Sequence, residues 1–452
     1  MRRLVALVLV ASVLAAAFAG TAAGNAHGTR FLVGYDPAQS QQAHLVIQAA
    51  GGEVQRSSPE LGFAVVTTQH PDAFVLAARN SPHIHYVERD DATYLDGAQW
   101  NGAQWNGAQW NGAQWNGAQW NGAQWNGAQW NDADLKHVSE AQRQAAKWTE
   151  YQYQLESTNK MKWAGDSTDP GLVWQYAPWA TDANFAWTAG FTGTRSASLC
   201  VLDSGVAWDH PDIAPNHVAS YNAINPAASA YDDGGHGTHI AGIAAGALAN
   251  AYGVAGVANV KILSAKVLDA NGAGYESDLA FGLVWCALQG ADVAVMALGV
   301  TETEHPTLLR ALQYAADRDV LLLASAGNTG GAVGFPASDP RVVAVGAVDG
   351  RLHRASFSST GSAVELAAPG VHMLGPLPAS MGGFAFGSGT SQAVAYAAGV
   401  AALVRDIDGD LTAAQARALL ASTARDLGPA GRDASFGHGL VDVRAAALAA
   451  AA

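Results

Sequence analysis

The stretch Gly387-Ser388-Gly389-Thr390-Ser391 opens an apolar run from Gln392 to Val404 with helical character. A small-residue turn feeding a helix leaves the first N–H groups of that helix without intrahelical acceptors and places Ser391 beside them. Ser391 is therefore a candidate nucleophile with a built-in anion site. Upstream, Asp203 ends the apolar segment Val201-Leu202, and His236 stands in His236-Gly237-Thr238-His239. Acid, base and nucleophile thus occur in the chain order Asp, His, Ser, one of three orders known for the serine-hydrolase triad. Ala326-Gly327-Asn328 follows another buried-looking strand and offers an amide donor.

Working outward, Leu199 to Leu202, Val260 to Val267, Asp292 to Leu298, Val320 to Ser325 and Val342 to Val348 are short apolar runs separated by helical stretches. Strands without alternation are buried on both faces, which predicts a parallel sheet covered by helices on each side. The chain has 452 residues, 49% of them hydrophobic, enough for a sizeable core. Only 14% are charged and the formal net charge is −14, which argues against nucleic acid as a partner. Arg2 and Arg3, the apolar stretch Leu4 to Leu14 and Ala17-Phe18-Ala19 have the pattern of an export signal. No later segment has the length and apolarity of a membrane span, so a secreted, extracellular monomer without stable membrane insertion is expected. The two cysteines, Cys200 and Cys286, lie in apolar segments and are expected to be buried free thiols.

These motifs resemble the subtilase family of serine endopeptidases. The resemblance implies an α/β fold with a subtilisin-like parallel sheet covered by helices on both faces, preceded by a small ferredoxin-like α+β propeptide domain. Residues 30 to 95 suit the latter: strand character in Arg30 to Tyr35 and Glu53 to Thr68, helices over Asp36 to Ala50 and Asp72 to Asn80, and a closing strand over Ile84 to Tyr94. The organisation expected is a signal peptide (1–26), a propeptide inhibitor-like domain (27–96), a repeat (97–131), a polar linker (132–168) and a catalytic domain (169–452). The repeat is seven perfect copies of Gly-Ala-Gln-Trp-Asn, carrying seven of the 14 tryptophans. Its period of five fits neither helix nor strand, and it is taken as a linker, with a glycan-binding strip or a peptide cargo released by proteolysis as alternatives.

By the resemblance, Ser391 attacks the scissile carbonyl, His236 relays the proton, Asp203 orients His236, and Asn328 completes an oxyanion hole. Gly272-Ala273-Gly274 and Ala297-Leu298-Gly299 match the strands that hold substrate, with Gly327 beside them. The wall segments Ala297 to Gly299 and Gly327 to Thr329 hold no acid, which points to an apolar or broad preference before the cut bond. The loop Leu248 to Val254 resembles a calcium loop: Asn250 gives a side-chain oxygen, Leu248, Tyr252 and Val254 give carbonyls, and Asp212 and Asp169 give carboxylates. Calcium is the expected cofactor, with no organic one, and the expected partners are polypeptide substrates and the chain's own propeptide. After the nucleophile the family usually reads Ser-Met-Ala-x-Pro-His; here Gln392, Ala395 and Tyr396 depart from it. The contrasting expectation is a weak or inactive relative that binds a cell surface through the Trp-rich repeat.

Overall fold

The computed structural model describes residues 28–95, 169–300 and 305–452. The export signal, the repeat and the polar linker lie outside these residues. Two compact units are present, Met1–Asp90 and Asp91–Ala452.

In the first unit the order is β1 (Thr29–Gly34), α1 (Ser40–Ala49), β2 (Glu53–Ser58), β3 (Phe63–Thr68), α2 (Pro71–Arg79) and β4 (Tyr86–Arg89). The sheet runs β2-β3-β1-β4, antiparallel throughout, the split β-α-β arrangement of a ferredoxin-like domain. Its core is Phe31, Val33, Ile47, Ala64, Val66, Phe74 and Val87, one face of the sheet under both helices. The closing strand expected over 84–94 is in fact two strands. The chain stops pairing with β1 at Arg89, where the Asp90 carboxylate takes the Arg30 guanidinium at 2.7 Å, and Ala92–Tyr94 pairs elsewhere.

The second unit contains β5 (Ala92–Tyr94), β6 (Ser198–Asp203), β7 (His217–Asn222), α3 (His236–Ala245), β8 (Lys261–Lys266), β9 (Ala273–Tyr275), α4 (Glu276–Leu288), β10 (Val293–Met296), β11 (Gly299–Val300), α5 (Pro306–Ala316), β12 (Leu321–Ser325), β13 (Val342–Val348), β14 (Val364–Pro369), β15 (Met373–Pro376), β16 (Phe384–Gly387), α6 (Thr390–Ile407), α7 (Ala413–Thr423) and α8 (Val443–Ala450). Seven strands form one parallel sheet in the order β14-β13-β12-β10-β6-β8-β7. All five strands expected from apolar runs are central in it. The edge strand β7 escapes such a search because most of it is only half-buried, and its sequence, His-Val-Ala-Ser-Tyr-Asn, carries polar side chains.

Period-two alternation sorts the core into two layers. Leu199, Val201, Val293, Val295, Leu323 and Val345 pack with α3, α6 and α8. The intervening residues meet α4 and α5 on the other face, and Cys200 there reaches Cys286 of α4. The two cysteines form a disulfide, with S–S 2.01 Å and Cα–Cα 5.9 Å, which corrects the expectation of free thiols. They are 86 residues apart in sequence, so only the stacking of α4 on β6 brings them together.

Candidate active site

Asp203 is the last residue of β6, at the C-terminal edge of the sheet, where open α/β folds place their reactive groups. His236 begins α3 directly above it. Both Asp203 oxygens lie within reach of His236 Nδ1, at 2.8 and 2.9 Å, and both residues are buried. A carboxylate there holds the Nδ1–H tautomer and leaves Nε2 as a base. The approach needs Gly237: a Cβ at that position would stand 2.0 Å from the Gly205 carbonyl oxygen and 3.1 Å from Asp203 Cβ.

The two segments are tied together by Asp232, which the sequence reading did not single out. Its carboxylate accepts hydrogen bonds from the N–H groups of Gly234, Gly235 and Thr238, and from the hydroxyls of Thr238 and Ser204. Ser204 Oγ in turn accepts from Gly237 N at 3.0 Å. Burial pushes the Asp232 carboxyl above its usual range, and these donors oppose that shift. The signal was available in Asp232-Asp233-Gly234-Gly235, an acid-glycine turn directly before His236.

Ser391 lies in the first turn of α6. Its hydroxyl donates to the Ala297 carbonyl at 3.4 Å, and its N–H belongs to the unsatisfied helix start. Asn328 leaves β12 beside it and gives its side-chain oxygen to Thr390, accepting from the backbone N at 2.8 Å and from Oγ1 at 3.0 Å. Thr390 Oγ1 also accepts from Gly327 N at 3.2 Å. A Cβ built on Gly389 would stand 3.5 Å from Asn328 Nδ2 and 3.6 Å from Ser391 N, so the amide nitrogen lies on the Ser391 side of the turn. The departures behind the nucleophile find partners of their own. The Tyr396 hydroxyl bonds Thr181 Oγ1 at 2.7 Å, and Gln392 Nε2 approaches His239 Nδ1 at 3.5 Å. Burial pulls the pKa of His239 down to about 4, so this second histidine of the motif is neutral.

Two of the expected substrate segments form the walls of a cleft, and a strand already lies in it. β5 pairs antiparallel with β9 on one side (Ala92↔Tyr275, Thr93↔Gly274, Tyr94↔Ala273) and with β11 on the other (Tyr94↔Gly299, Thr93↔Val300). Leu95 N donates to Gly272 O at 2.9 Å, and Glu276 N donates to Asp91 O at 2.9 Å. Gly272 and Gly274 are needed for this approach: a Cβ on the first would come within 2.6 Å of Leu95 Cδ1, and one on the second within 2.9 Å of Thr93 Oγ1. Ala297 and Leu298 lead into β11, and Gly327 lies across the site against Thr390.

The loop expected to take calcium gathers around two buried acids. Asp212 accepts from Asn250 Nδ2 and Val254 N, both at 2.9 Å, while Asp169 accepts from Ala249 N at 2.8 Å and Asn250 N at 2.9 Å. Burial lifts the Asp212 carboxyl to about 7, and the like charge of Asp169 adds to the lift. A buried acid lifted by burial and by a second acid beside it, in a loop with several carbonyls, is the chemistry a hard cation relieves, so the residues fit calcium. Among the described residues no cluster of three or more His, Cys, Asp or Glu is assembled for a metal.

A carboxylate-held histidine at the C-terminal edge of a parallel sheet and a serine in the first turn of a helix are what a serine endopeptidase of the subtilisin type presents. The chain belongs to the subtilase family: the model of that family matches residues 194–439, and the model of the fervidolysin N-terminal prodomain matches residues 29–90. Among its relatives are the minor extracellular protease Epr of Bacillus subtilis, 38% identical over 285 residues, and the alkaline elastase YaB of a Bacillus strain, 40% identical over 277. Subtilisin Savinase of Lederbergia lenta is 39% identical over 277 residues. These matches take in 62%, 60% and 60% of this chain and 43%, 70% and 99% of the relatives, so the chain spans less than half the length of Epr.

Proposed function

We propose that the protein is a secreted endopeptidase, made as a self-processed zymogen, that cuts polypeptides with Ser391, His236, Asp203 and Asn328. The observation that carries this is the strand β5, a piece of the chain's own N-terminal region paired on both sides in a cleft that leads to Ser391. A peptide held as a third strand gains backbone hydrogen bonds without regard to sequence, which is what an enzyme of broad specificity requires.

In the reaction, His236 Nε2 takes the Ser391 proton as Oγ adds to the scissile carbonyl. The resulting oxyanion is met by Asn328 Nδ2 and the Ser391 N–H, both fixed beforehand by the β12–α6 bracing. His236 then gives the proton to the leaving amine, and water, activated the same way, releases the acyl group from Ser391. Asp203 keeps the imidazole in the required tautomer and stabilises its charged form. Residues 27–96 serve as an intramolecular inhibitor, 169–452 as the catalytic domain, and the protein acts as a monomer on polypeptides. Calcium, held by Asp212, Asp169, Asn250 and the carbonyls of Leu248, Tyr252 and Val254, stabilises the fold and takes no part in the chemistry.

Expression of wild type beside Ser391→Ala tests the proposal. Wild type loses its N-terminal region and digests casein, while Ser391→Ala keeps that region and does not. Equal processing of both proteins in a protease-free host overturns it.

A further inference from the structure

The pairing of β5 gives the direction in which the N-terminal region runs toward Ser391. Antiparallel register runs Thr93↔Val300 and Tyr94↔Gly299, so β5 runs toward Ala297, two residues before Gly299. The Ala297 carbonyl is the atom that the Ser391 hydroxyl bonds. Asp96 lies outside the described residues; by count along the chain it stands two residues after Tyr94, as Ala297 stands two before Gly299, and the bond Asp96–Gly97 is taken as the first one cut.

That bond stands at the head of the repeat, and the two sequences share no residue before the cut but can be compared in character at each position. The cleft segment reads Ala92-Thr93-Tyr94-Leu95-Asp96 before Gly97; each repeat reads Gly-Ala-Gln-Trp-Asn before the next Gly. Thr93 is fully buried, and its hydroxyl has no hydrogen-bond partner. The repeat has Ala there, which fits the same space and removes the stranded hydroxyl. Tyr94 is 36% exposed, and the repeat has Gln. Leu95 is half-buried, and the repeat has the larger apolar Trp. Asp96 becomes its neutral isostere Asn, which suits walls that carry no charged side chain at Ala297 to Gly299 or Gly327 to Thr329. The residue after the bond is Gly in every case.

We infer that the repeat is a tandem substrate of the chain's own active site, cut after Asp96 and then after Asn101, Asn106, Asn111, Asn116, Asn121 and Asn126. In each event Ser391 Oγ adds to the Asx carbonyl carbon, the C–N bond to Gly breaks, and the glycine amine leaves with the proton relayed by His236. Water then hydrolyses the ester, so each cut consumes one water and frees one carboxyl and one amine. Complete cutting releases six identical Gly-Ala-Gln-Trp-Asn pentapeptides. This rests on Ser391 being the nucleophile, but adds the frame and the substrate.

The test uses full-length Ser391→Ala as the substrate for wild-type enzyme, with casein in a parallel tube and mass spectrometry of the products. The expected result is free pentapeptide and a ladder of new N-termini at Gly97, Gly102, Gly107 and onward in steps of five. Ser391→Ala incubated alone stays whole, which separates enzymatic cutting from spontaneous Asn-Gly chemistry. Casein digested while the array stays whole, or is cut in another frame, overturns the inference and leaves the endopeptidase standing. Neither substrate being cut overturns both.

Discussion

At the scale of single residues, Asn328 illustrates how the site is held. Its oxygen caps α6 through Thr390, and this engagement fixes where its nitrogen points. Asn328→Ala should lower turnover about 10²–10³-fold with little change in KM, the cost measured for the equivalent donor in the related enzyme subtilisin. His239 gives a pH prediction. It is fully buried with a pKa drawn down to about 4 by burial, against 6.5 in the unfolded chain. Between those values the unfolded state binds more protons, so the stability is complete above pH 6.5 and falls as the pH drops toward 4. The loss is roughly 3 kcal/mol, at about 1.4 kcal/mol per unit. Denaturant melts in a Ser391→Ala background should show this acid limb flattened by His239→Gln. Asp203, His236, Asn328 and Ser391 stand out as candidates in the sequence because each sits in a short motif whose glycines and apolar flanks mark a turn at a strand or helix end. Asp232 does not, because its work is to satisfy backbone N–H groups, and that depends on where the backbone turns.

At the scale of elements, buried central strands announce themselves as apolar runs, whereas the partner of a strand does not. Ile84 to Tyr94 has one strand-like composition, yet Tyr86–Arg89 pairs in the small domain and Ala92–Tyr94 pairs in the cleft. Arg89-Asp90-Asp91 marks the break, but charge alone does not say which sheet takes each half. The disulfide was hidden for the same reason, since stacking of α4 on β6 is a tertiary fact. Replacing Cys200 and Cys286 together with Ala should cost about 2–4 kcal/mol, measured in the Ser391→Ala background. Turnover per folded molecule should persist, because neither sulfur touches the reacting atoms. The loop at Leu248 to Val254 gives a third outcome. Excess chelator should shorten the half-life on heating several-fold, and Asp212→Ala should reproduce much of that loss without added chelator. An unchanged inactivation rate would remove calcium from the fold.

At the scale of the molecule, the parallel sheet and its reactive edge are assembled from residues after 169, and the strand that lies in their cleft comes from before 96. That sheet and the pairing of β5 are both built from described residues, none of which belongs to the 35-residue repeat. Deleting Gly97 to Asn131 should therefore leave folding and casein turnover within about twofold and alter only the products of self-processing. The most direct test of the central claim is labelling of the processed protein with a serine-directed fluorophosphonate, followed by peptide mapping. A single adduct on Ser391, formed in step with the loss of casein hydrolysis and absent from His236→Ala, is the predicted result. Hydrolysis that survives complete labelling of Ser391, or an adduct on another serine that abolishes it, would contradict the claim.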